Sequence, residues 1–149
     1  MKAKDSDSSV QRKIEEDIAS FKKLIKSKIL IEETTIEFDG ISDDGNKIYE
    51  IYCGIETLKP GQFKKIAADI LKMIFFEKLS GRKIEKHIIV VDKRIMDLLD
   101  SKKNRNWVSK VIEIYEIKLI YHELNNEQSE KLKNAKMRQS KNMKDFNHS

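Results

Sequence analysis

The chain is short of the residues that most often declare a chemistry. Its single cysteine, Cys53, excludes an internal disulfide and has no Cys or His neighbour at zinc-ligand spacing, so it reads as a small core residue. The three histidines, His87, His122 and His148, lie far apart and form no ligand spacing either. Five glycines are too scattered to build a phosphate-cradling loop, which argues against an NTPase or a dinucleotide-dependent enzyme. No local Ser/His/Asp or Cys/His signature is present. No apolar run approaches the roughly 18 residues that span a bilayer, and residues 1–10 lack the apolar core of a signal peptide, so a cytoplasmic protein with no membrane partner is expected.

Net charge is also scarcer than it first looks. The formal +5 is local: residues 1–130 carry 24 basic and 24 acidic side chains, whereas residues 131–144 hold Lys131, Lys133, Lys136, Arg138, Lys141 and Lys144 with no acid. A cationic segment beside a neutral body reads either as a phosphate-binding arm, with Lys131, Lys133, Lys136 and Arg138 as its candidate contacts, or as a solvated helical terminus.

What the chain does have is concentrated in residues 33–72. In TTIEFDG, Ile36 and Phe38 alternate with Glu37 and Asp39, the period of a strand with one buried face. Asp44-Gly45-Asn46 suits a hairpin turn. The next strand, KIYEIYCGI, is apolar almost throughout, and Glu50 is the lone charge inside it, so that carboxylate must have a partner. Pro60 then opens a helix in which Phe63, Ile66, Ile70, Ile74 and Leu71 form the apolar stripe, and Gln62, Lys65, Asp69 and Lys72 follow along a neighbouring polar face. An acid ending one strand, a buried Glu on the next and a Gln/Lys helix face suit a divalent cation with a nearby lysine.

The remaining segments complete an α/β pattern. Val10, Ile14, Ile18, Phe21 and Ile25 describe an amphipathic helix to about residue 26, whose Glu15-Glu16-Asp17 cluster is either a solvated face or, through Glu16, an acid near the site. KILIE reads as a first short strand, either separate from TTIEFD or continuous with it, and HIIVVD and IKLIYHEL as two more strands. A helix carrying Ile95, Met96, Leu98 and Leu99 and a short one from Trp107 separate those two, and Trp107 itself reads as core sooner than as a stacking platform beside Arg105. A polar helix over 127–139 closes the chain. Helix followed by strand in this half implies mixed pairing in one sheet.

On these residues the chain resembles the PD-(D/E)xK nucleases of the restriction-endonuclease-like fold. The order of elements is similar, with an Asp ending one strand and a Glu inside the next. The run from Glu50 through GIETLKPGQFKKIAADILK looks like the variant in which an E-x-x-x-G segment leads into an LKxxQxxKxxxDxLK helix, and WVSKVIEIYEIKLIYHEL and AKMRQ look like the closing part of such domains. The resemblance covers residues 10–140. It implies one α/β domain with a central mixed sheet of about four to five strands flanked by helices, preceded by a disordered segment, 1–9, and followed by a basic, disordered tail, 141–149. It implies an endonuclease hydrolysing DNA, with Asp39 and Glu50 holding Mg²⁺ or Mn²⁺, Lys65 supplying positive charge near the attacking water and Gln62 positioning it. A homodimer is a candidate assembly.

The chain departs from the family in one place. Where E-x-K is expected it has Glu50-Ile51-Tyr52, so the motif lysine is absent; Lys65 is the position that would replace it, with Lys59 second, and Lys64 and Lys72 are expected to point elsewhere if Phe63, Ile66 and Ile70 face the core. The alternative is a degenerate module that binds nucleic acid or a protein partner without cleavage.

Overall fold

The computed structural model describes the backbone of residues 7–148 and the side chains of residues 9–139. Among them are five helices and one five-stranded mixed sheet: α1 (Asp7–Phe21), β1 (Ile25–Ile31), β2 (Thr34–Ile41), β3 (Lys47–Tyr52), α2 (Pro60–Ser80), β4 (Glu85–Val90), α3 (Lys93–Leu99), α4 (Trp107–Ile114), β5 (Lys118–Tyr121) and α5 (Asn126–His148). The strands lie in chain order, β1-β2-β3-β4-β5. β1, β2 and β3 pair antiparallel, and β4 and β5 add parallel strands through helical crossovers.

Alternation along β3 sorts the core into two layers. Ile48 and Tyr52 pack with Phe38, Ile66, Ile70 and Met73 against α2, while Ile51 and Cys53 pack with Ile14, Ile18 and Leu132 on the opposite face, under α1 and α5. β4 is buried on both faces, and Ile88 and Ile89 point into different layers. The result is a sheet covered by helices on both sides, as the segment pattern implied.

Several boundaries differ from the sequence reading. α1 stops at Phe21, and Ile25 opens β1 rather than closing the helix. β1 and β2 are two strands, not one, joined by Glu32-Glu33 with φ of 50° and 63°. Both residues take the left-handed conformation that a two-residue hairpin turn demands; neither Gly nor Asn marks it, so the turn left no sequence signal. Leu71 is 67% exposed, outside the apolar stripe. Trp107, expected in the core, is 62% exposed at the start of α4. The backbone of α5 continues helically to His148, through most of the stretch expected as a disordered tail. Residues 1–6 of the expected disordered N-terminus lie outside the described residues, and residues 7–9 belong to α1.

α2 sets the floor of the site. Pro60 sits in its first turn, and Gly81, at φ 67°, closes it by donating its N–H to the Lys78 carbonyl.

Candidate functional site

The site forms where β2 and β3 part. Their ladder consists of only two pairs, Gly40–Tyr49 and Ile41–Ile48. On the other side of β2, the register with β1 runs from Ile41 opposite Ile25 to Phe38 opposite Ser27, so three steps on β2 match two on β1. That is a β-bulge at Asp39-Gly40. It explains why Ile36, Phe38 and Ile41 all reach the same core layer despite their spacing, and bulges of this kind bend a strand and re-aim a side chain. Gly40 is required there, because a Cβ would stand 2.7 Å from the Leu24 side chain.

Beyond the bulge, side chains take over the backbone groups that the ladder abandons. The Asp39 carboxylate accepts the Ile51 N–H through Oδ2 at 2.8 Å, and the Asp39 N–H is directed at Glu50 Oε1, 3.4 Å away. Neither Oδ1 of Asp39 nor Oε2 of Glu50 is engaged by these contacts. Asp39 is partly exposed in a cleft of about 620 Å³ that also includes Thr34, Glu37 and Lys72, whereas Glu50 is buried behind it.

Glu50 has the partner that its position demanded: Lys72 Nζ lies 3.1 Å from its Oε1. Lys72 also donates to the Glu37 carbonyl at 2.7 Å and stands 5.2 Å from the centre of the Phe38 ring. Burial, reinforced by the nearby Asp39 and Asp69 carboxylates, raises the Glu50 pKa to about 8, with Lys72 opposing the shift. Asp69, 3.6 Å from Lys65 and 3.9 Å from Lys72, is itself pushed upward by burial against the pull of those lysines.

α1 contributes an acid as well. Glu15 is partly buried, accepts from the Gln11 side chain at 3.1 Å, and has its pKa raised by burial and, more weakly, by Asp39. Gln11 in turn accepts from Lys136 of α5 at 3.3 Å. A polar chain therefore runs from Lys136 of α5 through Gln11 to Glu15 of α1.

Two assignments change and one candidate is replaced. Lys72, expected to point away, is the lysine that meets Glu50; Lys65 pairs with Asp69 and is 56% exposed in its side chain. The reason is helical phase: Lys72 lies two turns beyond Lys65, and the site is deeper along α2 than the E-x-K spacing suggested. Gln62 spends its side-chain oxygen on the Lys59 N–H at 2.8 Å, half of a capping box that ties both Gln62 and Lys59 to the start of α2. In α1 Glu16 is exposed and Glu15 faces the site. Of the four basic residues named as phosphate contacts, Lys131 pairs with Glu127, Lys133 and Arg138 are exposed, and Lys136 donates to Gln11 of α1. Cys53 is buried, with its thiol pushed up to about 12 by burial, which suits a core residue and not a nucleophile.

Tyr52, two residues beyond Glu50 on β3, points into the α2 layer with its pKa pushed up to about 12 by burial, and its hydroxyl is a buried polar atom with no hydrogen-bond partner among the described residues. Gly54 lies against that hydroxyl, so any larger residue there would collide with it.

Among the described residues no group of three or more His, Cys, Asp or Glu side chains is arranged to hold a metal ion. The fork does fit a hard cation held more sparingly. Mg²⁺ commonly takes one or two carboxylates and completes its shell with water and substrate phosphate, and Asp39 and Glu50 each retain an unengaged oxygen on adjacent strands.

No protein family, no curated protein and no solved structure matches this chain.

Proposed function

We propose that the β2–β3 fork is the active site of a metal-dependent endonuclease that hydrolyses phosphodiester bonds in DNA. The observation that carries this reading is the early end of the β2–β3 ladder beside the bulge at Asp39-Gly40, which leaves Asp39 and the buried Glu50 to share one opening beside Lys72.

Asp39 and Glu50 are the residues that would hold Mg²⁺ or Mn²⁺. When bound, such an ion polarises a phosphate oxygen and lowers the pKa of the attacking water. The chain's own groups do the rest. Lys72 places a positive charge next to Glu50 and keeps it aligned from α2. Asp69 and Lys65 extend this polar face along α2 toward the start of the helix. Lys136 and the exposed cations of α5 attract the polyanion.

The second reading, a module that binds without cleaving, draws on Tyr52 standing where the motif lysine would be and on Lys72 being already engaged by Glu50 and the Glu37 carbonyl. The discriminating experiment is cleavage of plasmid and oligonucleotide substrates with Mn²⁺ for the wild type, Glu50→Gln, Lys72→Ala and Lys65→Ala. The endonuclease reading expects cleavage that vanishes in Glu50→Gln, falls at least tenfold in Lys72→Ala, in line with the loss of one positioned charge, and survives in Lys65→Ala. Binding by a wild type that never cleaves would select the second reading.

A further inference from the structure

A second opening lies beside the fork. The outer face of α2 and the adjoining face of α4 enclose an apolar groove of about 510 Å³, lined among others by Lys64, Leu71, Ile74, Trp107, Val111 and Tyr115. Its walls are unusually bare for a small domain: Leu71, Trp107 and Tyr115 are 67%, 62% and 48% exposed. Two aromatic rings and an aliphatic ridge make flat contact surface, with aromatic faces of the kind on which bases stack.

Charge selects the occupant. The only charged residue lining the groove is Lys64. The acids of the surrounding segments are engaged: Asp97 by Lys103, Glu113 by Lys110 and Glu116 by Lys83, while Asp100 accepts the Lys102 N–H. Lys64, by contrast, has no acidic partner among the described residues, and neither do Lys102 and Arg105, which do not line the groove but belong to the segment that leads into Trp107. An apolar peptide would bury the same face but would gain nothing from these cations. A polyanion that carries exposed π-faces uses both.

Position ties the groove to the fork. It shares Ala68 and Leu71 with the cleft that contains Asp39 and Lys72. A strand with a phosphate in that cleft can therefore continue over Leu71 into the groove. Bases within a duplex are stacked on one another and offer no free faces, whereas unpaired bases do.

We infer that the groove between α2 and α4 is a stacking subsite for unpaired nucleotides, so that the substrate class is single-stranded nucleic acid, or a duplex with an unpaired segment, rather than fully paired DNA. This rests on the proposed function only for where the scissile phosphate lies; the groove's binding of an unpaired strand is independent of cleavage.

Trp107 is the only tryptophan in the sequence, so fluorescence excited selectively at tryptophan reports on this groove. Titration with oligothymidylate should quench it, and a blunt duplex of matched length should not. Labelled oligothymidylate should bind roughly tenfold more weakly to Trp107→Ala, the order expected for loss of one stacking platform, and also more weakly to Arg105→Ala, with the circular dichroism of both variants unchanged. Glu50→Gln should keep the quench. Absence of quenching in the wild type, or wild-type affinity in Trp107→Ala, overturns the inference. So does light scattering that shows Trp107→Ala turning a dimer into a monomer with oligonucleotide affinity unchanged, which would make the groove a self-association face. A protein that quenches but never cleaves retains the subsite and loses the endonuclease reading. One that cleaves duplex in a Glu50-dependent way without any quench does the reverse.

Discussion

The two edges of β3 are built on opposite terms. Toward β4 the strand pairs continuously over six residue pairs, from Lys47–Glu85 to Tyr52–Val90. Toward β2 it pairs twice, and beyond that the Asp39 carboxylate of β2 accepts the Ile51 N–H of β3 while the Glu50 carboxylate of β3 faces the Asp39 N–H of β2. The same six residues thus serve as a fully laddered core strand on one side and as a fork on the other. Every backbone donor must find an acceptor, so opening the ladder cost the molecule two carboxylates. Those carboxylates are what the site is made of.

The largest effect should come from attacking the laddered edge. Ile88 is 2% exposed on β4, and Ile88→Ala should lower stability by about 2–5 kcal/mol through cavity formation, measured by urea denaturation. Any activity lost should track the folded fraction. Asp39→Ala attacks the forked edge and should act differently. It strips the Ile51 N–H of its acceptor, at a cost of about 1–3 kcal/mol, and it should abolish cleavage even where the protein is fully folded.

Glu50→Gln separates chemistry from stability. In the folded protein Glu50 is raised from 4.5 to about 8, so the folded state holds a proton that the unfolded state gives up between those values. The stability linked to that proton is complete below about pH 4.5 and is lost as pH rises through about 8. Thermal melts of the wild type should therefore fall across this window relative to Glu50→Gln, which has no carboxyl to titrate there. Divalent-ion binding should run the other way and strengthen with pH, because the ion needs the ionised carboxylate. The smallest effect belongs to Lys65→Ala. An exposed ion pair with Asp69, four residues along the helix, is worth about 0.3–0.5 kcal/mol, and the expected change in melting temperature is roughly 1 °C.

The same contrast explains what could be read from the sequence. The laddered half was legible because β4 is an unbroken apolar run and α2 carries its own start and stop signals, Pro60 and Gly81. Asp39 and Glu50 were legible as an acid at a strand end and a lone charge in an apolar strand. The bulge was not, because it lies in the register between two strands, although Gly40 directly after Asp39 was its one trace. Lys72 was misassigned because E-x-K spacing and helical phase specify a face of α2 but not how far along the helix the fork sits. Glu15 was missed in favour of Glu16 because adjacent acids on α1 differ only in which one the packing of Ile14 and Ile18 turns toward the sheet. Trp107 was read as core because a lone tryptophan usually is, and nothing local reveals that α4 turns it toward an open groove.

The account turns on Asp39 and Glu50 acting together on one cation. A crystal structure of the full chain grown with Mn²⁺, with data collected at the manganese edge, tests this directly. The account predicts one anomalous peak in the β2–β3 fork, bound by a carboxylate oxygen from each of Asp39 and Glu50, and its loss in Glu50→Gln crystals. A fork without the peak, with Lys72 still seated on Glu50 at saturating Mn²⁺, would contradict it.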